Sequence, residues 1–97
     1  MTRLWNCILD SYKQSPRDVL TAGGRKYFFV YTEKGDIYVE SGREHQNASS
    51  IKGRRRLDKE NLADIYEIYT SGEKAGRITD ITFNSVYWYG IFKDLDI

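Results

Sequence analysis

The sequence is poor in the residues that build cross-linked or metal-bound scaffolds. Its 97 residues include one cysteine, one histidine, one proline and one methionine. A single cysteine, Cys7, excludes an intrachain disulfide and a zinc site with several thiolate ligands. Cys7 falls on a predicted helix, where we expect a small buried side chain. The sequence therefore predicts a chain that folds without cross-links and uses neither a metal nor a cofactor.

Long apolar runs are also missing. The first ten residues, MTRLWNCILD, contain no apolar run long enough for a signal peptide or a membrane span. Together with the single cysteine, this predicts a cytoplasmic protein in a reducing environment, with no membrane partner.

The motifs of common catalytic sites are missing too. His45 lies in a polar segment, which favours a surface role over that of a general base or a metal ligand. Asp36 and Glu40 bracket a predicted strand, but an extended chain places them about 13 Å apart, too far to share one metal ion. The chain contains no glycine-rich phosphate loop and no serine nucleophile motif. The sequence therefore predicts a protein that is not an enzyme.

The composition is that of a folded domain. Hydrophobic residues make up 40% of the chain and charged residues 30%, so we expect residues 1–97 to form a single domain. The net charge of +1 hides an asymmetry, because residues 1–57 hold 11 Lys and Arg against 6 Asp and Glu, whereas residues 58–97 hold 4 against 8. This asymmetry indicates one basic and one acidic half.

Residues 25–40, RKYFFVYTEKGDIYVE, predict a β-hairpin at the centre of the fold, with two runs of aromatic and β-branched residues flanking a short turn. Because Gly35 accommodates a positive φ, we expect a three-residue loop over 33–35, which places Thr32 opposite Asp36. One face of the hairpin then carries Tyr27, Phe29, Tyr31, Ile37 and Val39, and the other carries Phe28, Val30, Thr32, Tyr38 and Glu40. Both faces are largely apolar, so either both are covered or one is kept for a partner.

Helical and strand patterns flank this hairpin. The apolar spacing around Trp5 and Tyr12 predicts an amphipathic helix over 3–13, and a weak strand pattern follows over 18–22. Residues 51–57 predict an extended segment that leads into a helix with Asp58 as its N-cap. The expected fold is therefore α+β, with an N-terminal helix, a small antiparallel sheet, and C-terminal helices covering the sheet face that bears Phe29, Tyr31, Ile37 and Val39.

The tail, residues 77–95, supports two interpretations. The helical spacing of Trp88 and Phe92 favours a helix over 85–95. Two runs of residues that favour strands, 78–83 and 86–92, instead favour a second hairpin. The helical interpretation also gives the tail some likeness to a helix-turn-helix, with 77–82 as the first helix. The turn is short and without glycine, so a packing element is the better expectation.

The segment Lys52-Gly53-Arg54-Arg55-Arg56 is the strongest functional signal. Four cations in five residues suit a phosphate backbone, and the planar arginine fork matches a phosphate. Cations interleaved with aromatic strands are typical of surfaces that stack bases. We therefore predict a small, non-catalytic protein that binds DNA or RNA. The predicted contact residues are Lys52, Arg54, Arg55, Arg56, Arg25, Lys26 and Arg43, with Tyr38 and Phe28 as the stacking surface.

Two alternatives stay open at this point. The basic segment can be a solvated stretch whose arginines pair with Glu60, Asp64 or Glu67. The chain can also be a protein-interaction module or a homodimer that pairs through an apolar hairpin face.

Overall fold

The described part of the chain forms one α-helix, then a sheet, then two further α-helices. The computed structural model describes residues 2–78 and 81–97. Its elements are α1 (Thr2–Gln14), β1 (Arg17–Leu20), β2 (Tyr27–Glu33), β3 (Asp36–Ser41), β4 (Arg54–Arg56), a 3-10 turn (Lys59–Asn61), α2 (Leu62–Thr70), a second 3-10 turn (Ala75–Ile78) and α3 (Ser85–Leu95). The predicted α+β class, with its N-terminal helix, small antiparallel sheet and C-terminal helices, is confirmed. No helix in the described residues combines the length and the apolar character that a membrane crossing requires.

The sheet has four antiparallel strands in the order β1-β2-β3-β4, so every strand pairs with its neighbour in sequence. The central turn is shorter than the sequence predicts. Lys34 and Gly35 alone connect β2 to β3, with φ values of 52° and 83°. Two successive positive φ values are characteristic of a type I′ turn, whose twist matches that of the strands. Thr32 therefore lies opposite Ile37, and the predicted three-residue loop is wrong.

This shift of one residue regroups the side chains on the two faces of the sheet, because neighbouring residues point to opposite sides. The covered face carries the fully buried Phe28, Val30, Ile37 and Val39. The open face carries Tyr27, Phe29, Tyr31 and Tyr38.

Helices α1 and α3 contact the covered face, and the hydrophobic core lies between these layers. The expectation that helices cover Phe29 and Tyr31 is therefore wrong. Phe28 cannot serve as a stacking surface either, because its ring is buried edge-to-face on Tyr87, with 5.0 Å between the ring centroids.

Helix α1 presents one apolar stripe to this core. Trp5, Ile8 and Tyr12 recur at helical spacing and are almost completely buried. Cys7 lies off that stripe and is exposed, so the expectation of a buried thiol is wrong.

The Tyr12 hydroxyl donates a hydrogen bond of 2.7 Å to Asp94 on α3, 82 residues away in sequence. Burial and the Asp94 carboxylate both raise the pKa of this phenol well above its ordinary value.

Helix α3 confirms the helical interpretation of residues 85–95 and overturns a strand over 86–92. Trp88 and Phe92 are fully buried, as expected for a packing element. A recognition helix would need exposed side chains, yet Tyr89 is 4% exposed. The alternative assignments of 77–82 and 78–83 include residues 79 and 80, which lie outside the described residues.

Gly90 sets the distance between α3 and the sheet. A Cβ atom at this position would lie 2.2 Å from the carbonyl oxygen of Leu20 and 3.1 Å from the Phe28 ring. Real Cβ atoms do not approach a backbone oxygen so closely, so the helix can pack against β1 only because residue 90 has no side chain.

Asp58 joins the segment before α2 to the start of α3. Its carboxylate accepts hydrogen bonds from Asn61 Nδ2 at 2.7 Å, from Asn84 Nδ2 at 3.0 Å and from Trp88 Nε1 at 2.9 Å. The side chain makes no capping bond to the 3-10 turn that follows it, and α2 begins only at Leu62. The predicted N-cap is therefore corrected: Asp58 bonds side chains instead of helix N–H groups.

Candidate functional site on the open sheet face

A row of aromatic rings lies on the open face of the sheet. Tyr27, Phe29 and Tyr31 alternate along β2 with side chains of the covered face. Tyr38 on β3 lies directly opposite Tyr31, and the two rings stack with their centroids 5.7 Å apart and their planes at 23°. The three tyrosines are half-buried, so part of each side chain remains accessible.

Two guanidinium groups lie over these rings. The Arg54 guanidinium carbon is 4.0 Å from the centroid of Tyr38, and that of Arg43 is 4.1 Å from the centroid of Phe29. Phe29 lies outside the main hydrophobic core, yet only 8% of it is exposed, because Arg43 lies over its ring. Cation–π contacts of this kind hold an arginine close to an aromatic surface while leaving its N–H donors able to bond.

Each of these guanidinium groups also pairs with a carboxylate. Arg54 bonds Glu33, and Arg43 bonds Glu40. The four side chains in these pairs retain between 26% and 56% exposure, so the pairs are only partly shielded from water. The open face is therefore rich in arginine and tyrosine but nearly balanced in charge.

The basic segment does not act as one unit, because its residues alternate across β4. Arg54 and Arg56 lie on the side of Tyr38, whereas Arg55 points to the other side of the sheet. There Arg55 donates to the carbonyl oxygen of Phe83 at 3.3 Å. Arg56 approaches Glu60 at 3.9 Å, one of the ion pairs expected if the segment is simply solvated.

The other predicted cations lie at the margins of this face. Arg25 and Lys26 are exposed in the turn directly before Tyr27, and Lys52 is exposed in the connection that precedes β4. The fold thus brings together Arg54, Arg43 and Tyr38. This surface does not include Arg55 or the buried Phe28. Roles for the remaining residues in nucleic-acid binding stay predictions.

An Asp18–His45 pair at the end of the row was not predicted from the sequence. Asp18 on β1 has a fully buried carboxylate that accepts the backbone N–H groups of Arg43 at 2.9 Å and Glu44 at 2.7 Å. The same carboxylate lies 2.9 Å from His45 Nδ1. The imidazole in turn stacks on Tyr27. The sequence offers one signal for this pair, because Asp18 falls within a predicted strand. A carboxylate that is buried in a strand needs hydrogen-bond donors from another part of the chain.

The surroundings of the Asp18 carboxylate favour its ionised form. Burial alone raises the pKa of Asp18, but the hydrogen bonds from Arg43, His45 and Glu44 outweigh that effect and leave the pKa below its ordinary value. A buried anion held by three donors can fix the loop that supplies them.

Other parts of the molecule offer less to a ligand. A cleft of about 560 Å³ lies between the β1–β2 turn and the segment after α2. Two of its polar side chains already bond the protein, because Tyr89 donates to the Glu73 carbonyl at 2.8 Å and Lys93 donates to the Ala22 carbonyl at 3.0 Å. Within residues 2–78 and 81–97, no three His, Cys, Asp or Glu side chains are grouped so as to hold a metal ion.

The open face is therefore the candidate site: four aromatic rings, two arginines that lie over them, and a histidine fixed at one end. In comparisons with known protein families, curated proteins and solved structures, the chain shows no significant match to any of the three.

Proposed function

We propose that the protein binds single-stranded nucleic acid on the open face of its sheet, without catalysing a reaction on it. The observation that carries the proposal is the row of rings on β2 and β3 together with the two arginines over them. The exposed thiol of Cys7 agrees with the reducing, cytoplasmic location that we retain as part of the proposal.

Stacking would supply most of the affinity. Tyr27, Tyr31 and Tyr38 are each partly exposed, and any unpaired base has a π-face that can stack on an aromatic ring. A duplex hides those faces within its own stack. The row therefore favours single strands over duplexes and tolerates many sequences.

The arginines would supply the phosphate contacts. Arg43 and Arg54 are held by partly exposed carboxylates, and such ion pairs are weak in water. A phosphate can exchange for Glu40 or Glu33, because the guanidinium fork can bond a phosphate as well as a carboxylate. Because these carboxylates remain nearby, the net attraction is modest. Two phosphate contacts give a slope of about −1.4 in a plot of log affinity against log salt.

The test is fluorescence anisotropy with labelled single-stranded and double-stranded oligonucleotides across a salt titration. We expect Tyr38→Ala to weaken single-strand binding about tenfold, since it removes a stacking ring. Arg54→Ala should weaken binding about fivefold on every sequence and make its salt dependence shallower, since it removes a phosphate contact.

Two matched controls lie away from the open face. Phe83 is 86% exposed on the side of Arg55, and Arg3 is exposed on α1, so Phe83→Ala and Arg3→Ala should leave binding unchanged. Equal losses from Arg3→Ala and Arg54→Ala would show that only overall charge matters. A wild-type protein that binds no single strand at low salt would refute the proposal.

The charge balance of the open face favours a second candidate, which is protein binding, including self-association. Tyrosine and arginine are also the residues that dominate protein interfaces, and paired charges suit a protein partner better than a polyanion. Size-exclusion chromatography with light scattering distinguishes this candidate. A mass that doubles from 11.4 kDa with concentration, and that Tyr38→Ala returns to the monomer value, would support a homodimer.

A further inference from the structure

The imidazole of His45 lies flat on the ring of Tyr27, at one end of the aromatic row. The two ring centroids are 3.5 Å apart and the planes meet at 6°. Tyr27 therefore covers one face of the imidazole, while 40% of the His45 side chain remains exposed. Proteins hold an unpaired base by stacking it on an aromatic ring that is accessible to solvent.

Asp18 fixes the orientation of this ring. Its buried carboxylate accepts the N–H groups of Arg43 and Glu44 as well as facing His45 Nδ1 at 2.9 Å. One anion on β1 therefore sets the position and the orientation of the imidazole. The same anion holds the whole segment 43–45 against the sheet. Asp18 and Tyr27 are the titratable groups that face the imidazole from β1 and β2, and Arg43 and Glu44 flank it in the chain.

We infer that His45 is the outermost stacking ring of the proposed nucleic-acid surface and that Asp18 is the positioning residue that holds it there. The inference rests on the proposed function and adds a base contact that extends the row beyond Tyr27. A base on the outer face of His45 continues the stack of the two rings. Arg43 belongs to the same anchored segment and lies over Phe29, the next open-face ring of β2.

The test compares four single variants and one double variant in the anisotropy assay with a labelled single strand. His45→Ala should weaken binding about tenfold, because one stacking ring is lost. His45→Phe keeps a ring but loses the contact to Asp18, so its affinity should lie between that of His45→Ala and that of the wild type. Gln46→Ala, a neutral and exposed neighbour, is the matched control and should change nothing. Asp18→Asn should weaken binding, and adding His45→Ala to it should cause little further loss, because the two residues act through one ring.

The chain contains one histidine, so its imidazole gives a single set of NMR signals. In the neutral ring the proton should sit on Nδ1, where the Asp18 carboxylate accepts it, and Nε2 should be unprotonated. Asp18→Asn should change this tautomer ratio, an effect that a merely structural role of Asp18 in the loop would not require. The Nε2–H tautomer in the wild type would overturn the positioning role. This measurement needs no ligand and applies even if His45→Ala unfolds.

The outcomes separate the inference from the proposed function. If the wild type binds and Tyr38→Ala weakens it, but His45→Ala binds like Gln46→Ala, the stacking role of His45 is refuted and the proposed function stands. If His45→Phe is as weak as His45→Ala, stacking is again refuted. If the wild type binds no single strand at low salt, the proposed function fails and the base contact at His45 fails with it.

Discussion

Replacing Gly90 by alanine is expected to destabilise the protein by about 3 kcal/mol, in spite of the higher helix propensity of alanine. The new Cβ would lie 2.2 Å from the Leu20 carbonyl oxygen, and a backbone group in a paired strand cannot move aside alone. Helix α3 must then shift away from β1, which loosens the packing of Phe28 and Trp88. For a domain of this length the loss corresponds to a fall of about 15 °C in Tm, measurable by thermal or urea unfolding.

Gly23→Ala is the matched control for that variant. A Cβ at residue 23 has no neighbouring atom within 4 Å, and the residue has no positive φ. The substitution should be neutral or slightly stabilising, since it restricts the unfolded chain. Equal stability of the Gly90 and Gly23 variants would contradict the close contact between α3 and β1.

Asp58→Ala is expected to cost a similar amount, about 3 kcal/mol. The substitution leaves Trp88 Nε1–H, within a fully buried side chain, and Asn84 Nδ2–H without the acceptor that they now share. The Trp88 donor accounts for most of this cost, because its side chain is fully buried and water cannot replace the lost bond. Asp10→Ala, at an exposed position of α1, is the control and should lie within about 0.5 kcal/mol of the wild type.

The Asp58 carboxylate should also make stability depend on acid. Burial raises its pKa, but the hydrogen bonds from Asn84, Thr82, Asn61 and Trp88 outweigh burial and leave the pKa below its ordinary value. A carboxylate with a lowered pKa in the folded state stabilises the fold fully above the unfolded value, about pH 4, and loses this contribution as pH falls through the folded value.

Urea unfolding of the wild type and of Asp58→Asn between pH 7 and pH 2 tests this dependence. The variant should lose less stability than the wild type as the pH falls below about 4. Parallel curves for the two proteins would contradict it. Asp18, whose pKa is also lowered, remains in both proteins and contributes equally to both curves.

The elements of the fold could be predicted from local patterns, whereas the pairing of the hairpin could not. Helix α1, the strands of the hairpin and helix α3 follow from apolar spacing, which is a property of neighbouring residues. The register depends on whether Gly35 alone takes a positive φ or Lys34 does so too. Lysine rarely adopts a φ of 52°, so the sequence does not predict this conformation at Lys34.

Much of the candidate site depended on that register. With a three-residue loop, Tyr38 shares a face with Phe28, and with the two-residue turn it shares a face with Tyr31 instead. The charge of Arg54 and Arg43 predicts phosphate contacts, but their positions over aromatic rings depend on strand pairing for Arg54 and on the bond to Asp18 for Arg43. The Asp18–His45 contact joins residues 27 apart in different elements, and no local pattern encodes it.

The order of strands in the sheet has a consequence for how the chain folds. Because every strand pairs with its neighbour in sequence, the sheet can assemble through connections of 12 residues or fewer, starting at the tight turn between β2 and β3. The bond from Tyr12 to Asp94 instead closes a loop of nearly the whole chain and should form last. In stopped-flow experiments, Val39→Ala should therefore slow folding, whereas Tyr12→Phe should mainly speed unfolding. The reverse assignment would mean that the two ends of the chain meet before the sheet is complete.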